Sequence, residues 1–383
     1  MVLASPDASA DACLDVDTTA HRGAAGVAPE STRAGFDFAR HTRAEYIEVD
    51  VQLSEDGVPV LVHDATLTRT TDVEEVFPNA ESYAVGDFTW TELQQLDAGS
   101  WYHEDFAGEG IPRLEEAIDY ARSSAGINIE LKDPDTSPGV EQVVADVLED
   151  DARWGALEKR DRLVVSSFDI DSLATFHAID PSVPLSGIGL VPTDDVTLDS
   201  YAEWMVAWTT NYRSLDPEDV DRVQDTGMDL TVYTVNSVEH MMDVIELGVD
   251  GVVTDYPQVL QALKCGKGSL PDANGVVISS VLGDAPGSDL TYNEGEYVEL
   301  TNTTADPVDV TGWYLLDAVA NRLEVGPGYV IEPGATLRVY TGPGDNSDTR
   351  YYNDLGRNVL NNNGDSVALF TTERDLVSLY AYY

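Results

Sequence analysis

From residue 17 to about 264 the chain alternates between two kinds of segment, and few architectures accommodate that alternation. Short β-branched runs such as YIEVDV (46–51), VPVLVHD (58–64), INIELK (127–132), RLVVSSFD (162–169), LSGIGLV (185–191), LTVYTVN (230–236) and DGVVTD (250–255) read as strands. Between them lie stretches with helical spacing of apolar residues, including TRAGFDFARHT, LEEAIDYARSS, GVEQVVADVLED, EDVDRVQDTG, VEHMMDVIELG and PQVLQALK. Strands alternating with helices imply a parallel sheet covered by helices, an α/β fold. Seven or eight such units over about 250 residues fit a closed (β/α)8 TIM barrel. A doubly wound open sheet is the competing topology, but HRGAAG after the first strand departs from the dinucleotide-binding glycine pattern.

The pattern breaks at GKGSLPDANG (266–275), rich in Gly, Pro and Ser. Beyond it, short strand-like runs alternate with Gly, Pro, Asn and Asp turns, as in an all-β sandwich. The expected organisation is an N-terminal extension (1–16), a barrel (17–267), a linker (268–274) and a sandwich (275–383). Nothing in the first twenty residues has the basic start and apolar core of a signal peptide, and no apolar run is long enough to span a membrane.

The chain carries 70 acidic and 21 basic residues, a net charge of −49. Both expected domains share the excess, and no long run of like charge marks an acidic tail. Such a coat repels itself in dilute salt, whereas at about 1 M salt the Debye length is about 3 Å. Lysine is scarce, 4 against 17 arginines. The expectation is a protein of halophilic type. The same charge excludes nucleic-acid phosphates as a partner.

Against that background an acid carries little information by itself, but its phase in a strand does. In IEVDV the side chains of Glu48 and Asp50 share one face, and Ile47, Val49 and Val51 share the other. In INIELK, Asn128, Glu130 and Lys132 share a face opposite Ile127, Ile129 and Leu131. If the apolar faces meet the helices, Glu48, Asp50 and Glu130 converge inside the barrel and need a cation. An all-oxygen set suits Ca2+ or Mg2+, and no zinc-type spacing of His and Cys occurs. Glu45, Glu55 and Asp56, at the strand edge and in the turn, are expected to reach solvent. His21 and His63 fall at strand ends and can serve as general base and general acid. Arg22 and Lys132 supply positive charge for a phosphate. Acids, a hard metal, two histidines and two cations point to phosphoryl chemistry.

The segments HRG (21–23), APEST (28–32), IEVDVQLSEDGVPVLVHDATLTRTTD (47–72), IPRLEEAI (111–118), IELK (129–132), SFD (167–169), YTVN (233–236) and GVDGVVTDYP (248–257) run in the order seen in the glycerophosphodiester phosphodiesterases. The chain resembles that family, in a halophilic archaeal type. The resemblance implies a metal-dependent (β/α)8 phosphodiesterase that cleaves glycerophosphodiesters to glycerol phosphate and an alcohol. It implies His21 and His63 as the acid–base pair, Glu48, Asp50 and Glu130 as ligands of Ca2+ or Mg2+, and Arg22 and Lys132 on the phosphate. Glu30 is expected near the metal, and Asp64 beside His63 or capping the loop after it. Ser31 replaces the family's usual Asn, and Tyr233 its usual Trp; both are expected at the pocket rim. Asp255 is read as the N-cap of the last helix in preference to a pocket residue. His41 reads as a surface residue, and His103, His177 and His240 as structural. The alternative readings are a phospholipase D-like hydrolase of intact lipids and a catalytically silent surface-binding protein.

GEYVELTN (295–302), VDVTGWYLLD (308–317), IEPGATLRVYTG (331–342) and NNNGDSVALF (361–370) resemble the lamin-tail domain, an immunoglobulin-like sandwich. This implies an appended module, with an envelope component as a candidate ligand. Trp313 reads as core. Cys13 precedes the first strand and Cys265 follows the last helix, so both fall at the bottom of a barrel. A Cys13–Cys265 disulfide is therefore expected, and with it an extracellular or cell-surface setting.

Overall fold

The strands of the first unit form a continuous hydrogen-bonded ring. The computed structural model describes residues 13–121, 125–266, 270–272 and 275–383. Among them, eight strands pair in parallel: β1 (Asp17–Ala20), β2 (Tyr46–Leu53), β4 (Gly126–Leu131), β5 (Leu163–Ser167), β6 (Leu185–Ile188), β7 (Ala207–Asn211), β8 (Asp229–Tyr233) and β9 (Gly251–Thr254). The ring closes because β1 pairs with both β2 and β9. This is the expected (β/α)8 barrel. Ile47, Val49, Val51, Ile127, Ile129 and Leu131 are buried on the apolar faces of β2 and β4.

The run 58–64 is not a barrel strand. Its central residues form β3 (Pro59–Leu61), which pairs antiparallel with the end of β2, Val51 against Leu61 and Leu53 against Pro59. The connection is a tight turn in which the Gly57 amide donates to the Ser54 carbonyl, with Gly57 at φ +78°. Four residues cannot hold a crossover helix, so SEDG folds the chain back as a hairpin. The barrel strand that takes its place in the ring is β7, AWTTN, whose polar Thr and Asn obscure it in the sequence. Helical residues in LEEAIDYARSS are confined to Leu114–Ala117, and residues 122–124 lie outside the described residues. Helices Ala152–Glu158, Ile170–Ile179 and Asp195–Ala202 fall in segments without an obvious apolar stripe.

Cys13 and Cys265 form the expected disulfide across 252 residues of sequence. Beside it Glu45 is half-buried rather than solvated. Its carboxylate accepts from the Thr18 amide (2.9 Å) and Gln261 (2.9 Å) and pairs with Lys264 (2.8 Å), whose ammonium also donates to the Val16 carbonyl. Lys264 is buried, so Glu45 is its compensating charge.

The second unit is a β-sandwich. One sheet holds strands Val276–Leu282, Tyr297–Asn302, Thr336–Tyr340 and Arg350–Tyr352; the other holds Arg322–Glu324, Tyr314–Asp317, Asp365–Phe370 and Leu376–Tyr382. Val298, Leu300, Leu315, Leu337, Val339, Val367 and Leu369 fill the space between them, with Trp313 packed against that core. Glu299 lies opposite Arg338 and pairs with it at 2.8 Å on the outer face. Asp272, within the expected linker, accepts a hydrogen bond from the Ser378 hydroxyl, and its amide donates to the Val377 carbonyl at 3.0 Å.

Closing a loop of this length restricts the unfolded chain by about 5 kcal/mol in the chain-entropy account. Cys13→Ser, or wild type under reductant, should therefore melt well below the oxidised protein in a thermal scan. An unchanged melting temperature would show that the bridge contributes nothing to stability.

Candidate active site

The site is built at one end of β2 and β4 by their register. Asp50 lies directly opposite Glu130, and Glu48 opposite Asn128. One oxygen from each of Glu48, Asp50 and Glu130 comes within 4.8 Å of the others, and all three residues are buried. The burial is poorly compensated. Glu48 Oε1 and both Asp50 carboxylate oxygens make no hydrogen bond among the described residues. Orphaned, buried, converging carboxylate oxygens are the donor set a hard divalent cation requires, so the expected ligands fit such an ion.

Burial and the neighbouring charges of Asp50 and Glu130 push the Glu48 carboxyl well above the usual range. Burial and Asp50 likewise raise Glu130 to about 7, although Lys132 opposes them. Without a cation, burial and like charge thus favour the protonated form of Glu48, and of Glu130 below about pH 7.

Two cations border the acids. The Lys132 ammonium lies 2.8 Å from Glu130 and 3.6 Å from Asp50. Burial works against its charge, but Asp50 and Glu130 outweigh burial and raise its pKa. Arg22 sits in the tight turn His21–Gly23 immediately after β1. Its own φ is +48°, and the turn lets its amide donate to Glu48 at 2.7 Å. Gly23 allows the close approach of the next helix, because a Cβ there would meet Phe36 at 2.6 Å. The Arg22 guanidinium donates to Glu30 at 3.1 Å and lies 3.8 Å from Asp50.

Each histidine is tied through Nδ1 to a carboxylate: His21 to Asp255 at 2.6 Å, and His63 to Asp64 at 2.8 Å. An Nδ1–H donated to a carboxylate leaves Nε2 free to take or give a proton. Asp255 is thus a site residue and not the helix cap. The cap position of helix Pro257–Cys265 is Tyr256, whose side chain makes no capping bond. Asp255 is buried just beyond β9, where a charged side chain needs a partner. The other histidines stand apart from this network: His41 is exposed, His103 bonds the Asp105 amide, His177 packs on Trp204 and His240 bonds Ser237.

Glu30 and Asp64 converge with His63 in a second group of ligand-type side chains beside the three acids' own, ligand atoms of the three lying within 4.8 Å of one another. Both carboxylates are held by Arg69, which the sequence reading passed over. Arg69 donates two bonds of 2.7 Å to the oxygens of Glu30, and two more to Asp64 at 2.6 and 3.0 Å. Hydrogen bonds from His63 and Arg69 outweigh burial and hold the Asp64 carboxyl well below the usual range. Arg69 and Arg22 depress Glu30 in the same way, against its burial. The clue in the sequence was a rare cation in TLTRTTD, five residues after Asp64. Gln52 was also missed. From inside β2 its amide donates to the carbonyls of Val62, His63 and Asp64 at 2.8, 3.3 and 2.8 Å, bracing the histidine segment.

The two departures from the family pattern differ in position. Tyr233 is half-buried and meets the exposed Phe168 edge-on at 5.9 Å, while Phe168 lies 5.7 Å from the Lys132 ammonium. Ser31 is not at the rim. It is buried, with φ +54°, and its amide donates to the Arg22 carbonyl at 2.9 Å. That left-handed conformation suits Asn better than Ser, which accounts for the family's usual residue.

The family model for glycerophosphoryl diester phosphodiesterases matches residues 21–259, and that for the lamin tail domain matches residues 270–383. A glycerophosphodiester phosphodiesterase of Bacillus subtilis is 33% identical over 261 residues, covering 65% of this chain and 86% of its own. One from Bacillus altitudinis is 36% identical over 247 residues, covering 62% and 94%. Among solved structures, an Oleispira antarctica phosphodiesterase in complex with the product sn-glycerol-3-phosphate has a TM-score of 0.56 at 29% identity, covering 64% of this chain and 96% of that one. A glycerophosphodiester phosphodiesterase from Agrobacterium tumefaciens has a TM-score of 0.52 at 25% identity, covering 64% and 99%. The family match spans more than half of the chain and contains every site residue from His21 to Asp255, so this chain belongs to the glycerophosphoryl diester phosphodiesterase family.

Proposed function

We propose that this chain hydrolyses glycerophosphodiesters to glycerol phosphate and an alcohol, with His21 and His63 as the acid–base pair. The observation that carries this reading is the pairing of each Nδ1 with a carboxylate, beside a buried triad of acids. One imidazole takes the proton of the attacking hydroxyl, from water directly or from the substrate's own glycerol; in the second case a water molecule opens the resulting cyclic phosphate in a second step. The other, entering as imidazolium, gives a proton to the departing alkoxide as the P–O bond breaks. Arg22 and Lys132 hold the phosphate oxygens and neutralise the charge that builds on them. Glu48, Asp50 and Glu130 would hold a divalent cation, Ca2+ or Mg2+, which when bound would polarise a phosphoryl oxygen.

The acid coat and the Cys13–Cys265 bridge support a working place outside the cell in high salt. The relatives' substrates support the phosphodiester class. Among the described residues the lamin-tail unit shows no histidine–carboxylate pair of this kind, and binding an envelope ligand is the proposed role for it.

His21→Ala and His63→Ala should each lower kcat on glycerophosphocholine by about 100-fold or more while leaving the melting temperature unchanged. Wild-type turnover in either variant would sink the assignment.

Cation binding should be pH-dependent. Glu130, raised to about 7, carries a proton below that pH which the cation must displace. Affinity measured by calorimetry should fall by at least about tenfold per pH unit below 7, through the Glu130 proton and any that the raised Glu48 carboxyl also holds. In the apo-protein the raised Glu130 carboxyl stabilises the fold at low pH and loses that contribution as the pH rises from the usual carboxylate range through about 7. The melting-temperature gain from Ca2+ or Mg2+ should therefore be larger at pH 8 than at pH 6. Equal affinity at both pH values, or full activity in EDTA, would contradict this site.

The −49 charge should make stability depend on salt. Raising KCl from about 0.1 to about 2 M should increase the melting temperature as self-repulsion is screened. A flat or falling profile would remove the high-salt reading.

A further inference from the structure

We propose that Arg69 is a positioning residue for the reaction: it fixes the carboxylate that orients His63, using Glu30 as its anchor. The inference rests on the acid–base reading of His63 given above.

The two histidine–carboxylate pairs are held in different ways. Asp255, the partner of His21, is buried just beyond β9, and its side chain is 8% exposed. Asp64, the partner of His63, lies in the loop after β3, and its side chain is 27% exposed. A carboxylate so placed can turn about its own side-chain bonds unless something fixes it. Arg69 does so with a planar fork: its Nε bonds Asp64 Oδ2, and one terminal nitrogen bonds Oδ1, the same oxygen that accepts from His63 Nδ1. Fixing the carboxylate plane fixes the direction in which the imidazole points.

The fork needs an anchor of its own, and Glu30 provides it. Both terminal nitrogens of Arg69 bond Glu30, which is buried and also accepts from Arg22. The result is a chain of alternating charge: Arg22, Glu30, Arg69, Asp64, His63. The charged groups around His63 in it are Asp64, Glu30 and Arg69. Arg69 also stacks 5.6 Å from the Trp101 ring, which limits its rotation. A lysine could supply the charge, but not four directed bonds in one plane.

Because Arg69 acts through Asp64, its loss should reduce kcat more than it raises KM. Glu30 keeps its bond from Arg22, so phosphate binding is little altered. Arg69→Met should lower kcat on glycerophosphocholine by about 100-fold, the scale of a small misplacement of a reacting group. Arg69→Lys should recover part of that loss. The deciding measurement is a double-mutant cycle with Asp64→Ala. The Asp64→Ala/Arg69→Met double variant should turn over within about twofold of Asp64→Ala alone, because the route through Asp64 is already broken. Cation affinity should match wild type in all of them.

A double variant that loses the full Arg69→Met factor on top of Asp64→Ala would overturn the proposal and leave Arg69 a structural counter-ion for Glu30. Should Arg69→Met not fold, the same cycle with Arg69→Lys reads the same coupling. His63→Ala reports separately on the acid–base reading: if it is fully active, that reading fails, whereas an inactive His63→Ala with an additive cycle refutes only the role of Arg69.

Discussion

Asp50 faces Glu130 across the parallel pairing of β2 and β4, and most of the site follows from that register. Two carboxylates set side by side in a buried barrel end, with Glu48 two residues back on the same face, form an arrangement that folding alone does not favour. It becomes reasonable once a cation is admitted. A slip of one residue in either strand would turn the acids toward the helices and place Ile and Val in the mouth. The apolar faces of both strands prevent that slip, because each must bury Val, Ile and Leu on its helix side.

Outward from the acids the charge alternates. Lys132 and Arg22 border the triad, Glu30 lies beyond Arg22, Arg69 beyond Glu30, and Asp64 and His63 close the series. In a chain with 70 acids the scarce resource is positive charge. Three of its 21 basic residues converge on this one network. The surface coat and the site thus use the same residue type in opposite ways. On the surface, acids lie in water and repel one another. In the barrel mouth they are dehydrated, and each is matched to a cation or to a cation site.

The hairpin β2–β3 shows how a local feature serves the site. SEDG turns the chain back at once, so the His63–Asp64 segment returns alongside β2 instead of crossing to a new barrel position. Gln52, buried within β2, then holds three consecutive carbonyls of that segment. The histidine is fixed from its backbone by Gln52 and from its ring by Asp64.

The barrel, the sandwich, the convergence of the three acids and the disulfide were legible in the sequence. Period-two alternation states which side chains share a face, and the order of strand and helix states which ends meet. Ser31, Asp255 and Arg69 were legible only in part or not at all. Ser31 depends on a backbone angle, and Asp255 on a partner 234 residues away. Arg69 lies in a loop, where no periodicity indicates a direction. Strand phase is a local property of the chain, so the sequence determined which acids could face one another. Which carboxylate orients which histidine, and which arginine holds that carboxylate, was decided by loops brought together in space, because a loop side chain acquires its partners only when the barrel closes.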